Sequence, residues 1–236
     1  MNSIFKKLRQ SGASDNKNLT ARAKAVVMMG LFTFIFLGTE YLFVNTVSHA
    51  VSENTAVAAQ NYALGVSVLG FLIYPLFRRV AAKKFRTALS VVGTAAAVSG
   101  IFELCFTPFF GTVLSLGLIV FLLLGIFGSA VFYKSLCLIE SNKHIARLVG
   151  FSYTLGVLLQ FANNNLIRAE KAEAAVLSVF LSALTAMLIN AEKAAVSPAL
   201  SARNERKNPQ NISKKCCRRA LAHPACGADD LCFQHA

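Results

Sequence analysis

Two carboxylates, Glu40 and Glu103, lie inside long runs of apolar residues. An ionisable side chain at the centre of a bilayer costs about 2.5 to 3.5 kcal/mol on insertion scales, so its retention points to a substrate, ion or proton pathway. A carboxyl group at such a position can take up and release a proton, which a quaternary charge cannot. A second reading stays open, in which each carboxylate reaches headgroup water or bonds a neighbouring helix. Uncharged polar residues gather at the same expected level: Asn45, Gln60, Asn61, Tyr62, Gln160, Asn163, Asn164 and Asn165. They would line an outward-facing vestibule, or simply mark helix ends at the water boundary. Glu40, Glu103, Asn45, Asn61 and Gln160 are the candidate substrate- or proton-binding residues.

The elements that must hold these groups follow from composition. Of 236 residues, 55% are hydrophobic and only 15% charged, against about 25% charged in ordinary soluble domains. A helix rising 1.5 Å per residue needs about 20 apolar residues to cross a 30 Å hydrocarbon core. Six such runs occur, near 25–47, 57–77, 88–106, 112–132, 148–167 and 174–189, the last short and rich in alanine. The expected fold is therefore an all-α polytopic membrane protein, a bundle of six transmembrane helices spanning 25–190. The first run is too long for the apolar region of a cleaved signal peptide, about 7 to 15 residues, and reads as a retained anchor. Glu40 and Glu103 each fall 15 residues into a run crossing in the same direction, about 22 Å from its start.

Charge fixes an expected orientation. The net charge is +13, from 24 Lys and Arg against 11 Asp and Glu. The arm 1–24 carries six of the basic residues, the loop 78–87 five, the loop 133–147 three and the tail 191–236 eight, while the intervening segments carry none, none and two. Alternate segments thus hold 22 and 2. Cytoplasmic loops collect Lys and Arg, which places both termini inside, in an inner membrane, and accounts for the basicity without nucleic acid. The arm sets Ile4, Phe5 and Leu8 among Lys6, Lys7 and Arg9, suited to a short helix on anionic headgroups or to an irregular tail that only sets orientation.

Small residues at helical spacing mark where the helices pack, since lipid supplies no hydrophobic drive between them. They are Ala174, Ser178, Ser182 and Ala186 in the sixth run, Gly93 with Ala97 and Ala96 with Gly100 in the third, and Gly125 with Ser129 in the fourth. Ala96, Ser99 and Gly100 share the helical face of Glu103, which would turn that carboxylate inward. The sequence motifs of zincins, serine hydrolases, dinucleotide sites and P-loops are missing, so neither an enzyme nor a bound cofactor is expected. The tail 191–236 reads as a disordered basic extension. Its Cys216, Cys217, Cys226 and Cys232, with His223 and His235, lack the paired C-x2-C spacing of a zinc site, and no metal is expected.

The arrangement of spans and loops resembles the N-terminal half of a major facilitator superfamily permease. That family's loop between helices two and three reads approximately G-x-L-x-D-R-x-G-R-[RK]. The stretch 74–84 keeps Leu76 and Arg79 and closes on a basic pair, Lys83 and Lys84, set one position later than in the pattern, but has Tyr74, Arg78 and Ala81 in place of Gly, Asp and Gly. The resemblance implies transport of a small solute, coupled to a proton or facilitated. It also implies a second six-helix half, because the family's substrate site lies between two halves. This chain would then pair with a second copy or another six-helix chain, or be a truncated product. The alternative function is a non-transporting membrane sensor or interaction module. Expected partners are lipids, a small solute or proton, and that second half.

The charge alternation makes a direct forecast. A cysteine placed at position 82 should react with a membrane-impermeant maleimide only after the cytoplasmic side is opened. Labelling from the periplasmic side would overturn the orientation.

Overall fold

The computed structural model describes residues 2–80, 82–107, 109–139, 145–167 and 169–207, with side chains described from residue 19 to 191 apart from Lys83. Six helices follow one another: α1 (Asn2–Ala50), α2 (Glu53–Val80), α3 (Lys83–Leu104), α4 (Phe110–Leu138), α5 (Ile145–Leu166) and α6 (Glu170–Lys207). Among the described residues there is no strand. Each of the six apolar runs has its own helix, with 105–106 and 167 left beyond the ends of α3 and α5, and each helix is long and apolar enough to cross a membrane. The protein is a multi-pass, all-α membrane protein. Helices of this kind satisfy every backbone group within their own segment, which lipid requires.

Helix ends depart from the sequence expectation in a consistent way. Charged residues lower local hydropathy without breaking helical hydrogen bonding, so helices overrun the apolar windows. Arg78 and Arg79 occupy the last turn of α2 and α3 begins at Lys83, so the basic residues of the loop expected over 78–87 lie in helices. The arm 1–24 continues into α1, without the break expected between them. The tail past residue 190 belongs to a unit separate from 1–190, and its described part, 191–207, expected to be irregular, is helical, in keeping with the high helix propensity of its alanines. The tail cysteines and histidines lie outside the described residues.

Within residues 1–190, α1 is the hub. It packs on α2, α3, α4 and α5 and meets α6 through an edge-on pair of Phe34 with Phe180, ring centres 5.2 Å apart. Its crossing with α5 depends on missing side chains: a Cβ at Gly156 would stand 2.8 Å from the carbonyl oxygen of Gly30 and 2.5 Å from Thr33 Cβ. The α2–α4 crossing is closer still, since a Cβ at Gly125 would strike the carbonyl oxygen of Ser67, and one at Gly70 that of Leu122. Phenylalanines fill the space that these contacts leave, with Phe32 edge-on to Phe71 and Phe132, and Phe36 edge-on to Phe121.

The small-residue stripe expected on α6 leaves the interior after its second member. Steps of four residues advance 400° on a helix of 3.6 residues per turn, so the stripe drifts about 40° at each step. Ala174 and Ser178 are buried while Ser182 and Ala186 are exposed. The true inward face is Ala174, Leu177, Leu181, Leu184 and Leu188, with Thr185 pairing its hydroxyl to that of Thr94 on α3 at 2.7 Å.

Gly125→Ala should therefore lower the unfolding free energy in detergent by about 1 to 3 kcal/mol, because backbone atoms cannot rotate out of the way as a side chain can. Gly65→Ala, where the added methyl meets nothing within 4 Å, should be neutral or mildly stabilising. Equal stability of the two variants would show that close approach does not hold α2 to α4.

Candidate functional site

Helix α1 separates two polar clusters. Glu40 turns toward α2, where Gln60 donates its Nε2 to the Glu40 carboxylate at 2.6 Å. Gly38, two residues earlier and so about 200° around the helix, faces the other way. A Cβ there would come within 2.9 Å of Gln160 Oε1 on α5 and 2.5 Å of Leu177 on α6. Three helices converge at this glycine, which gives the amide of Gln160 room beside the backbone of α1.

The second cluster lies between α1, α5 and α6. Asn163 Nδ2 donates to Glu173 Oε1 at 3.0 Å, and Gln160, one turn earlier on α5, adjoins the same carboxylate. Glu173 is 5% exposed, Asn163 6% and Gln160 8%, so this is a buried acid between two buried amides. Gln160 Nε2 also donates to Asn164 Oδ1 at 2.7 Å. One turn nearer the helix start, Glu170 accepts from Asn45 Nδ2 of α1 at 2.6 Å and has His49 Nε2 at 3.5 Å. Spacing of three residues stacks Glu170 and Glu173 along one face of α6. Both carboxylates sit in the first turn of that helix, where the backbone dipole favours negative charge.

Two atoms of the cluster have no hydrogen-bond partner: the buried oxygens Gln160 Oε1 and Asn163 Oδ1. A buried acceptor without a donor costs about 1 to 3 kcal/mol. They belong to the two amides that border the Glu173 carboxylate, and would be satisfied by a donor or by a hard cation preferring oxygen ligands. Among the described residues no group of three or more His, Cys, Asp or Glu side chains is arranged to hold a metal ion.

The candidates from the sequence separate accordingly. Asn45 and Gln160 belong to the α1–α5–α6 cluster, and Glu40 to the α1–α2 pair. Glu103 is exposed, together with Ala96 and Ser99, which corrects the expectation that it turns inward. The buried face of α3 is instead Gly93, Thr94, Ala97, Gly100, Ile101 and Leu104, and Gly100 belongs to it because Val120 of α4 packs there. Asn61 is also exposed, as are Tyr62 and Asn165, so no single vestibule unites the polar residues. At the other end of the helices, Leu76, Arg79 and Lys84 are exposed and Arg78 is half-buried; the side chain of Lys83 lies outside the described residues. Glu170 and Glu173 were missed because the charged stretch 168–173 resembles a loop. The legible signal was phase, since Glu173 continues the heptad-like series of Leu177, Leu181, Leu184 and Leu188.

Comparison with protein-family models, curated proteins and solved structures finds no match.

Cys105, just past the end of α3, reports on the cluster from outside it. Its Sγ lies 3.8 Å from the backbone oxygen of Glu170. Burial raises the thiol pKa first, the carboxylates of Glu170 and Glu173 raise it further, and Lys171 acts in the opposite sense. Removing a carboxylate charge should lower that pKa and increase the thiolate fraction at fixed pH. In Glu170→Gln, Cys105 should thus be alkylated by iodoacetamide faster than in wild type near pH 8, read by mass spectrometry of the Cys105 peptide. An unchanged or slower rate would contradict the placement of Glu170 beside the thiol.

Proposed function

We propose that the chain is a membrane transport protein that moves a small solute together with a proton or monovalent cation held at Glu173. One observation carries this reading: a buried carboxylate within the sixth span, bonded by a buried amide, in a cluster that holds two buried amide oxygens without a donor. A protonated carboxyl group has an O–H to give one of them, whereas the ionised carboxylate with those oxygens forms a cradle for a cation. Either state is reached by loading and unloading an ion, as a coupled carrier requires. Ionisable residues within membrane spans mark ion and proton pathways as a rule.

The wider arrangement is proposed on the same footing. The strong alternation of basic segments supports an inner-membrane location with both termini cytoplasmic. The likeness to half of a major facilitator superfamily permease supports a working unit of two six-helix halves, a second copy or another chain, around a central path. In this reading Glu40 with Gln60 is a helix-bonding pair and Glu103 has no part in ion binding. The other reading, a membrane sensor that moves nothing, is separated by the same experiment.

Vesicles containing the full chain and loaded with pyranine should show proton movement when a panel of sugars, amino acids and organic cations is supplied under a pH gradient. Replacing the gradient with sodium tests the cation alternative. Glu173→Gln should reduce ion-coupled flux at least about tenfold, the scale expected when a transfer group is removed, while Glu103→Gln leaves it unchanged. Flux unaffected in Glu173→Gln would sink the coupling site, and absence of any flux in wild type would favour the sensor.

A further inference from the structure

At the opposite end of α2 from Glu53 lies a cavity of about 890 Å³ between the ends of α2 and α4 and the start of α3. It falls within the range of about 300 to 1,000 Å³ typical of ligand sites. Its lining has two chemistries. Phe71, Phe132 and Leu136 give it an apolar wall, while Arg78, Arg79 and Arg86 supply three permanent positive charges. No carboxylate is among the described lining residues.

The arginines are ordered by the fold. The guanidinium of Arg78 lies 3.5 Å over the ring of Tyr133, an arrangement that occupies its face and leaves its N–H edge to donate. Arg86 Nη1 donates to the backbone oxygen of Arg78 at 3.3 Å, bringing the start of α3 against the end of α2. Pro75, also in the lining, has no N–H to give the carbonyl of Phe71. Arginine binds phosphate through paired N–H donors. A free anion would need only the cationic rim, whereas the adjoining aromatic and aliphatic wall, at the end of three spans, matches the start of an acyl chain.

We propose that this cavity binds the phosphate of an anionic phospholipid, with the acyl chain against Phe71, Phe132 and Leu136. The proposal is independent of the transport reading, since it concerns other residues and another end of the helices. Binding is measured on the purified full chain in neutral detergent with fluorescent phosphatidylglycerol, fluorescent phosphatidylcholine and inorganic phosphate as the three probes. Phosphatidylglycerol should bind at least about fivefold more tightly than phosphatidylcholine, and Arg79→Gln should weaken it about fivefold, the scale of one basic residue at an anionic surface, without altering phosphatidylcholine. Ser129→Phe, which fills the cavity at constant charge, should weaken phosphatidylglycerol while unfolding at the wild-type temperature. Equal binding of the two lipids, or undiminished phosphatidylglycerol binding in both variants, overturns the site. Displacement by millimolar inorganic phosphate as effective as that by the lipid overturns the lipid assignment in favour of a free anion.

Discussion

Inside a bilayer a polar group has no water to turn to, and this one constraint organises the molecule. The backbone meets it by forming six helices with short connections. Hydroxyl side chains meet it locally: Thr33, Thr46, Ser90 and Ser178 each donate to the carbonyl four residues back. Carboxylates cannot be satisfied within their own helix so easily and recruit amides from neighbours, Gln60 for Glu40, Asn163 for Glu173 and Asn45 for Glu170. These bonds tie α1 to α2, α5 to α6 and α1 to α6. The polar residues are therefore structural links as well as candidate chemistry, and among the described carboxylate–amide groups the Glu173 cluster retains two buried amide acceptors that the links leave unused.

Close packing supplies the cohesion that lipid withholds. Gly30 with Gly156 and Gly70 with Gly125 let helix backbones approach, and the phenylalanines around Phe32 and Phe121 fill the remaining space. The central position of α1 follows from its residues. Its buried positions, such as Phe32, Phe34, Ile35, Leu42 and Phe43, occupy a wide arc rather than a single stripe. Helices α2, α3 and α5 instead keep one small-residue face inward and expose large apolar side chains such as Leu72, Val92 and Phe161, as suits contact with lipid.

Helix number and class were legible in the sequence because twenty consecutive apolar residues leave few alternatives. Facing was not. The choice of Ser99 and Gly100 as companions of Glu103 used correct helical spacing, yet helical spacing defines a face without saying which neighbour it meets. Val120 packing onto Gly100 and the outward turn of Ser99 are tertiary facts. The same limit hid Glu173, whose side chain is drawn inward by Gln160 and Asn163, while its local sequence of alternating charges reads as a water-exposed turn. Asn45 and Gln160 could be singled out as polar residues near membrane level, but their partners come from segments 125 and 13 positions away and required the fold.

The location of Glu170 and Glu173 in the first turn of α6 has an electrostatic corollary. Roughly half an elementary charge of positive sign resides at a helix start, so the peptide groups of α6 act as a built-in counterion for both acids. Lys171, placed between them, adds a full positive charge to this partial one. Because the partial charge is attached to the same rod as the acids, it accompanies them wherever the helix start comes to lie in the membrane.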